Sequence, residues 1–170
     1  MNETDRLAAI QRYLEEVSEQ FHSGHAIEHA YRPALKALMS SFEDTVAVND
    51  PKHSEHGAPD FVFLKKSNNK IIKGYAEAKD RTVSLDKTEK SEQLGRYGGY
   101  ANLFLTDYLE FRFFKNGEKY QTISLGLVKN GELQLLNEKA GQLARELKAF
   151  LERPPEKIRS GKRLAEIMGG

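Results

Sequence analysis

The spacing of apolar residues changes period along this chain, and the change limits which folds are open to it. From Asn2 to about His22, the residues Leu7, Ile10, Tyr13, Leu14, Val17 and Phe21 recur at intervals of three and four, which predicts a helix buried on one side. Asn2 or Thr4 can cap it. Gly24 interrupts the pattern, which resumes through Ile27, Tyr31, Leu35, Leu38 and Phe42. A second helix is expected there. Pro33 lies inside it, which predicts a kink or restart near Arg32.

Beyond Phe42 the pattern becomes that of strands. Thr45 to Val48 is a short strand candidate, and NDPKHSEHGAPD reads as an exposed loop. Phe61 to Leu64 and Ile71 to Lys79 predict an antiparallel hairpin across KKSNNK. LDKTEKSEQLGRY has helical spacing. ANLFLTD and LEFRFFKNGEKYQTISLGLV predict three further strands, with turns at Thr106-Asp107 and Asn116-Gly117. Helical spacing returns from Glu138 to Leu151 and stops at RPPEK, because paired prolines cannot continue a helix. Ile158 to Met168 predicts one more helix, followed by Gly169-Gly170. With 170 residues the chain can bury a core without disulfides. The expected fold is α/β, a mixed β-sheet core flanked by helices over residues 1–152. Residues 153–170 are expected to form a short helical extension or a linker to a further domain.

Composition narrows the function classes. Hydrophobic residues make up 39% and charged residues 30%, the balance of a globular chain rather than a disordered or membrane-embedded one. The absence of cysteine excludes disulfides, thiolate catalysis and Cys-based zinc sites, and suits a reducing, cytoplasmic setting. The N-terminus carries no apolar run of signal-peptide or membrane length. A formal charge of +1 supplies no global attraction to nucleic acid, so any such affinity must be local.

The chemistry concentrates at Pro59-Asp60, which opens one predicted strand, and at Glu77-Ala78-Lys79, which closes the next. Side chains alternate across a strand, so Glu77 and Lys79 share a face while Ala76 and Ala78 point the other way. Pairing of the two strands brings Asp60 to the same place. Two carboxylates there suit a hard divalent cation, Mg2+ in biology with Mn2+ able to substitute, and the Ala78 carbonyl can add a ligand. Lys79 beside them can orient or deprotonate a water and offset charge on a phosphorane-like transition state. The combination is that of phosphodiester hydrolysis.

At Asp60, Glu77 and Lys79 the sequence resembles the PD-(D/E)XK nuclease superfamily. Gln93 and Tyr97 form the Q-x-x-x-Y pair that resembles the Mrr-like and RecB-like branches, where it supports the active site and contacts the substrate strand. The segment Glu28, His29, Tyr31, Arg32, Pro33, Ala34, Leu35 is similar to one that opens the nuclease domain of certain restriction enzymes. The resemblance implies that Glu28 completes the metal site. GYAEAKD, EQLGRY and NLFLTDYLEFRFF are similar to the N-terminal nuclease domain of single-chain restriction-modification enzymes of types IIG and ISP. It covers roughly residues 25 to 150.

The resemblance implies a Mg2+-dependent endonuclease cutting double-stranded DNA, the cleavage domain of a restriction system. A methyltransferase, helicase or specificity domain would sit in the same or a partner chain, with a homodimer or transient dimer for double-strand cleavage. Arg32, Lys66, Arg81 and Arg96 are the expected DNA contacts. The same core also serves repair or recombination nucleases acting on ends or branched DNA, and non-cleaving nucleic-acid-binding modules. Glu28 and Arg32, four apart, equally suit a helix-surface pair, and Gln93 and Tyr97 equally suit packing. His25 and His29 have helical spacing and His53 and His56 share a loop, but without a third ligand they read as surface or packing residues.

Overall fold

The computed structural model describes residues 1–24, 29–49, 59–91 and 100–154. Helix α1 (Glu3–His22) starts where Asn2 and Asp5 cap each other, each side chain accepting from the other's backbone N–H. It ends at Ser23 and Gly24, and Gly24 takes the left-handed conformation with φ 70°. Helix α2 (Arg32–Ser40) differs from the expectation. Pro33 sits in its first turn, where the missing N–H has no helical partner to lose, so the proline begins the helix rather than kinking it.

Six strands follow in one sheet: β1 (Thr45–Asn49), β2 (Phe61–Lys65), β3 (Asn68–Ala78), β4 (Asn102–Thr106), β5 (Glu110–Lys115) and β6 (Glu118–Ser124). Their spatial order equals their chain order, and every pair is antiparallel except β3 and β4, which run parallel. A parallel pair needs a crossover, and helix α3 (Leu85–Glu89) lies in it. This is the expected mixed sheet flanked by helices, a restriction-endonuclease-like topology. The β2–β3 turn falls at Lys66-Ser67, while Asn68 and Asn69 already belong to β3. The carboxylate of Asp44 ties this turn, accepting from the Ser67 N–H and hydroxyl at 2.8 Å each.

A second small sheet was not expected. Strands β7 (Gly126–Lys129) and β8 (Glu132–Leu135) pair across Asn130-Gly131, both at positive φ like Asn116-Gly117. Fully buried Leu125 joins the sheets by donating its N–H to Leu109 and accepting from the Leu136 N–H. A single 3₁₀ turn (Asn137–Lys139) leads into helix α4 (Ala140–Glu152). The predicted helix over Ile158 to Met168 lies outside the described residues. No described helix is long and apolar enough to cross a membrane.

Alternation along the strands divides the core. Phe61, Phe63, Ala76, Ala78 and Phe104 join α1, α2 and α4 in the larger cluster. Tyr75, Leu103, Leu105 and Phe114 face the other way and pack with Leu85 of α3. At the centre of the larger cluster Phe150 meets the rings of Phe63, Phe104 and Phe113 and rests on the bare backbone of Gly74. A Cβ at Gly74 would lie 2.7 Å from Phe150 Cζ. That ring is hemmed in and cannot retreat cheaply. Gly74→Ala is therefore expected to lower stability by about 1–3 kcal/mol through overpacking, read as a shift in the urea midpoint at unchanged slope.

Candidate active site

The register of the β2–β3 pair places Phe61 opposite Ala76. One residue beyond it, Asp60 stands opposite Glu77, so both acids reach one face at the same strand end. The site thus lies at the ends of two interior strands, not along an edge strand of the sheet. Asp60 is 5% exposed and Glu77 2%. Buried carboxylates need compensation, and each has some. Asp60 Oδ2 accepts the Ala78 N–H at 3.0 Å, while Arg32 Nη2 stands 3.6 Å from Oδ1. Lys79 Nζ lies 3.9 Å from Glu77 Oε1, with its side chain 26% exposed.

The backbone around these groups is pinned from both sides. The Lys79 N–H donates to the Thr106 carbonyl at 2.9 Å, extending the parallel β3–β4 ladder past Ala78. Ala78 turns its N–H toward Asp60, and because a strand residue points its N–H and C=O the same way, its carbonyl faces that side too. Next to Thr106, Tyr108 adopts φ 79°, an uncommon conformation for a bulky residue. Three contacts hold it there. Its N–H donates to Thr106 Oγ1, its carbonyl accepts from the Tyr13 hydroxyl, and its ring packs 5.3 Å from that of Tyr31. Burial raises the pKa of the Tyr31 hydroxyl, with Arg81 opposing that rise and Asp80 adding to it. Tyr31 immediately precedes Arg32, so this cluster fixes where the arginine leaves the backbone.

Beside Lys79 runs an open groove lined also by Asp80, Thr82, Val83, Lys87, Thr88 and Ser91. Its far wall is α3, which Arg112 clamps to the sheet. Arg112 bonds Glu110 through Nε and lies 2.9 Å from Asp86 and 3.3 Å from Glu89 through Nη1, and Lys119 reaches Glu89 at 3.0 Å. Sequence reading missed this clamp. Its signal was the alternation of Glu110 with Arg112 on one strand and the three-residue spacing of Asp86 and Glu89 on the helix.

Of the residues anticipated from the sequence, the structure brings together Asp60, Glu77, Ala78, Lys79 and Arg32. Arg81 instead lays its guanidinium over the Phe21 ring at 5.7 Å, against α1. Lys66 sits at the opposite end of the β2–β3 hairpin, six residues from Asp60 and so about 20 Å along the strand at ~3.3 Å per residue. Glu28, Gln93, Arg96 and Tyr97 lie outside the described residues, as do His25, His53 and His56. Among the described residues no group of three or more His, Cys, Asp or Glu side chains is placed to hold a metal ion. Asp60 and Glu77 make two.

No protein-family model matches this sequence, and no curated protein does. Solved structures do resemble it. The DrdV–DNA complex, determined by cryo-electron microscopy, aligns over 88% of this chain with a TM-score of 0.66 and 21% sequence identity. The aligned part is 14% of the DrdV chain, so this chain spans a small fraction of that protein. At this identity the likeness is one of fold.

Arg112→Ala removes the cation that three carboxylates share. It is expected to cost about 1–3 kcal/mol and to accelerate amide hydrogen exchange in α3 more than in α1. Uniform acceleration in both helices would mean that Arg112 does not act as a local clamp.

Proposed function

We propose that the chain is a Mg2+-dependent endonuclease domain acting on double-stranded DNA, the cleavage module of a restriction system. The observation that carries this reading is the meeting of two almost wholly buried carboxylates with a partly exposed lysine at one end of β2 and β3. Burying two acids side by side is unfavourable for a domain that needs them only for stability. It suits a domain that needs them for a cation.

The donor set fits Mg2+, which prefers oxygen ligands. Asp60, Glu77 and the Ala78 carbonyl would hold it, with Glu28 completing the set as the PD-(D/E)XK resemblance implies. When bound, such a cation polarises the scissile phosphate and lowers the pKa of a coordinated water. Lys79 supplies the rest. Its amine, 3.9 Å from Glu77 on a partly exposed side chain, would orient or deprotonate the attacking water and offset charge growing on the phosphate oxygens. Gln93 and Tyr97 would support this centre and meet the substrate strand, and Arg32 and Arg96 would contact the backbone, whereas Lys66 and Arg81 lie away from the carboxylates.

Double-stranded DNA as the substrate is supported by the fold shared with DrdV, which was solved bound to DNA. Residues 1–152 would form the nuclease domain and 153–170 an extension. Because the shared fold is a minor part of DrdV, sequence recognition would come from a methyltransferase, helicase or specificity domain in the same or a partner chain. Cutting both strands would call for two such sites, hence a homodimer or transient dimer.

Mg2+ or Mn2+ is expected to support cleavage of plasmid DNA by the full chain. Lys79→Ala should reduce the rate by about two to three orders of magnitude while leaving the melting temperature and Mn2+ binding in place. Glu77→Gln should lose both cleavage and Mn2+ binding by calorimetry. Undiminished cutting by Lys79→Ala, or full Mn2+ affinity in Glu77→Gln, would overturn the assignment.

A further inference from the structure

Arg32 stands in an unusual position for an arginine beside an acid. Its Nη2 is 3.6 Å from Asp60 Oδ1, longer than a hydrogen bond, and its Nε is buried with no hydrogen-bond partner among the described residues. A guanidinium settled in a permanent ion pair makes short, forked contacts. This one does not. The other oxygen of Asp60 is taken by the Ala78 N–H, so Oδ1 is the oxygen left for a cation, and Arg32 stands over it.

The backbone of Arg32 is fixed, while no hydrogen bond among the described residues holds its Nε. Tyr31 before it is buried and packed on Tyr108, and Pro33 after it opens α2. The Arg32 side chain itself is 19% exposed and carries rotatable bonds enough to reach solvent. A divalent ion at Asp60 and a guanidinium at Asp60 compete for the same oxygen and repel each other.

We propose that Arg32 is a two-position counterion, neutralising Asp60 in the metal-free site and turning to a backbone phosphate of DNA once a divalent cation takes that carboxylate. This rests on the reading of Asp60 as a metal ligand in a DNA-cutting site. The consequence is coupling. The cation frees the guanidinium for phosphate, phosphate draws the guanidinium off Asp60, and by linkage each ligand strengthens the other to the same degree.

The signature is a pair of effects with opposite sign. In Arg32→Ala, Mg2+ titrated alone into the full chain should bind about tenfold tighter, since a competing like charge is gone. A short DNA duplex should bind more weakly, with the slope of log affinity against log salt reduced by about 1. Its tightening by Ca2+ over EDTA should shrink. Arg32→Lys, which keeps the charge, should restore most of the salt slope, and Arg32→Gln should follow alanine if truncation disturbs folding. An arginine that served structure alone would weaken both ligands, and a plain DNA contact would leave Mg2+ affinity unchanged; either result overturns the proposal. Asp60→Asn separates the two readings. Lost Mg2+ binding there with no tightening in Arg32→Ala rejects the counterion alone, whereas retained Mg2+ binding in Asp60→Asn rejects the metal site beneath it.

Discussion

Two carboxylates held out of water at the same end of neighbouring strands are the constraint around which this structure is arranged. Asp60 and Glu77 are brought there by the register that sets Phe61 against Ala76, and a slip of one residue would turn one acid to the opposite face of the sheet. Proximity of like charges in a dry place is unfavourable, so the neighbourhood supplies a donor and two cations. The Ala78 N–H takes one oxygen of Asp60, Arg32 approaches the other, and Lys79 approaches Glu77. The N–H comes from β3 itself, but the two cations depend on other elements. Arg32 comes from α2, and Lys79, just past the end of β3, is steadied by Thr106, the last residue of β4.

The packing of the domain can be read as the means of delivering those groups. Tyr13 on α1, Tyr31 before α2 and Tyr108 after β4 meet in one buried cluster, which joins three separate parts of the chain beside the acids. The strained backbone of Tyr108 is tolerable because its N–H, carbonyl and ring are all engaged, so local strain is offset by fixed partners. On the opposite face, Leu85 packs under the sheet and Arg112 binds Asp86 and Glu89. A helix as short as α3 would not persist by its own hydrogen bonds. It is held by its contacts, and with it the wall of the groove beside Lys79.

Much of this was legible in the sequence because it depends on local period and spacing. The α1 face, the alternation in β3 and the placement of Asp60, Glu77 and Lys79 follow from residues near one another in the chain. What escaped depends on partners far away. Pro33 reads as a helix breaker until the helix is seen to start at Arg32, and the start is set by Tyr31 packing on Tyr108. β7 reads as the end of the strand before it, since the buried Leu125 that divides the sheets looks like any strand residue, and β8 is not anticipated at all. Lys66 and Arg81 are near the motif in sequence, yet the hairpin carries one away and Phe21 draws the other to α1. Sequence proximity to a motif is a poor guide to charge, because a long cationic side chain goes where the fold offers it a surface.

That distribution of charge also bears on how a nearly neutral domain could hold a polyanion. With a formal charge of +1, attraction must come from cations that face the same way while nearby acids are occupied elsewhere. The groove shows this arrangement. Asp80 lies within it, but its Oδ1 accepts both the N–H and the hydroxyl of Thr82 at 2.9 Å. Asp86 and Glu89 on the adjoining helix are turned to Arg112. Lys79 and Lys87 are left lining the groove, and Arg32 stands on the other side of the acids. Cationic groups therefore flank the carboxylate pair from two directions. A backbone phosphate approaching from either would meet positive charge before it met Asp60 or Glu77, an order of encounter that would ease the approach of an anion to an acidic centre.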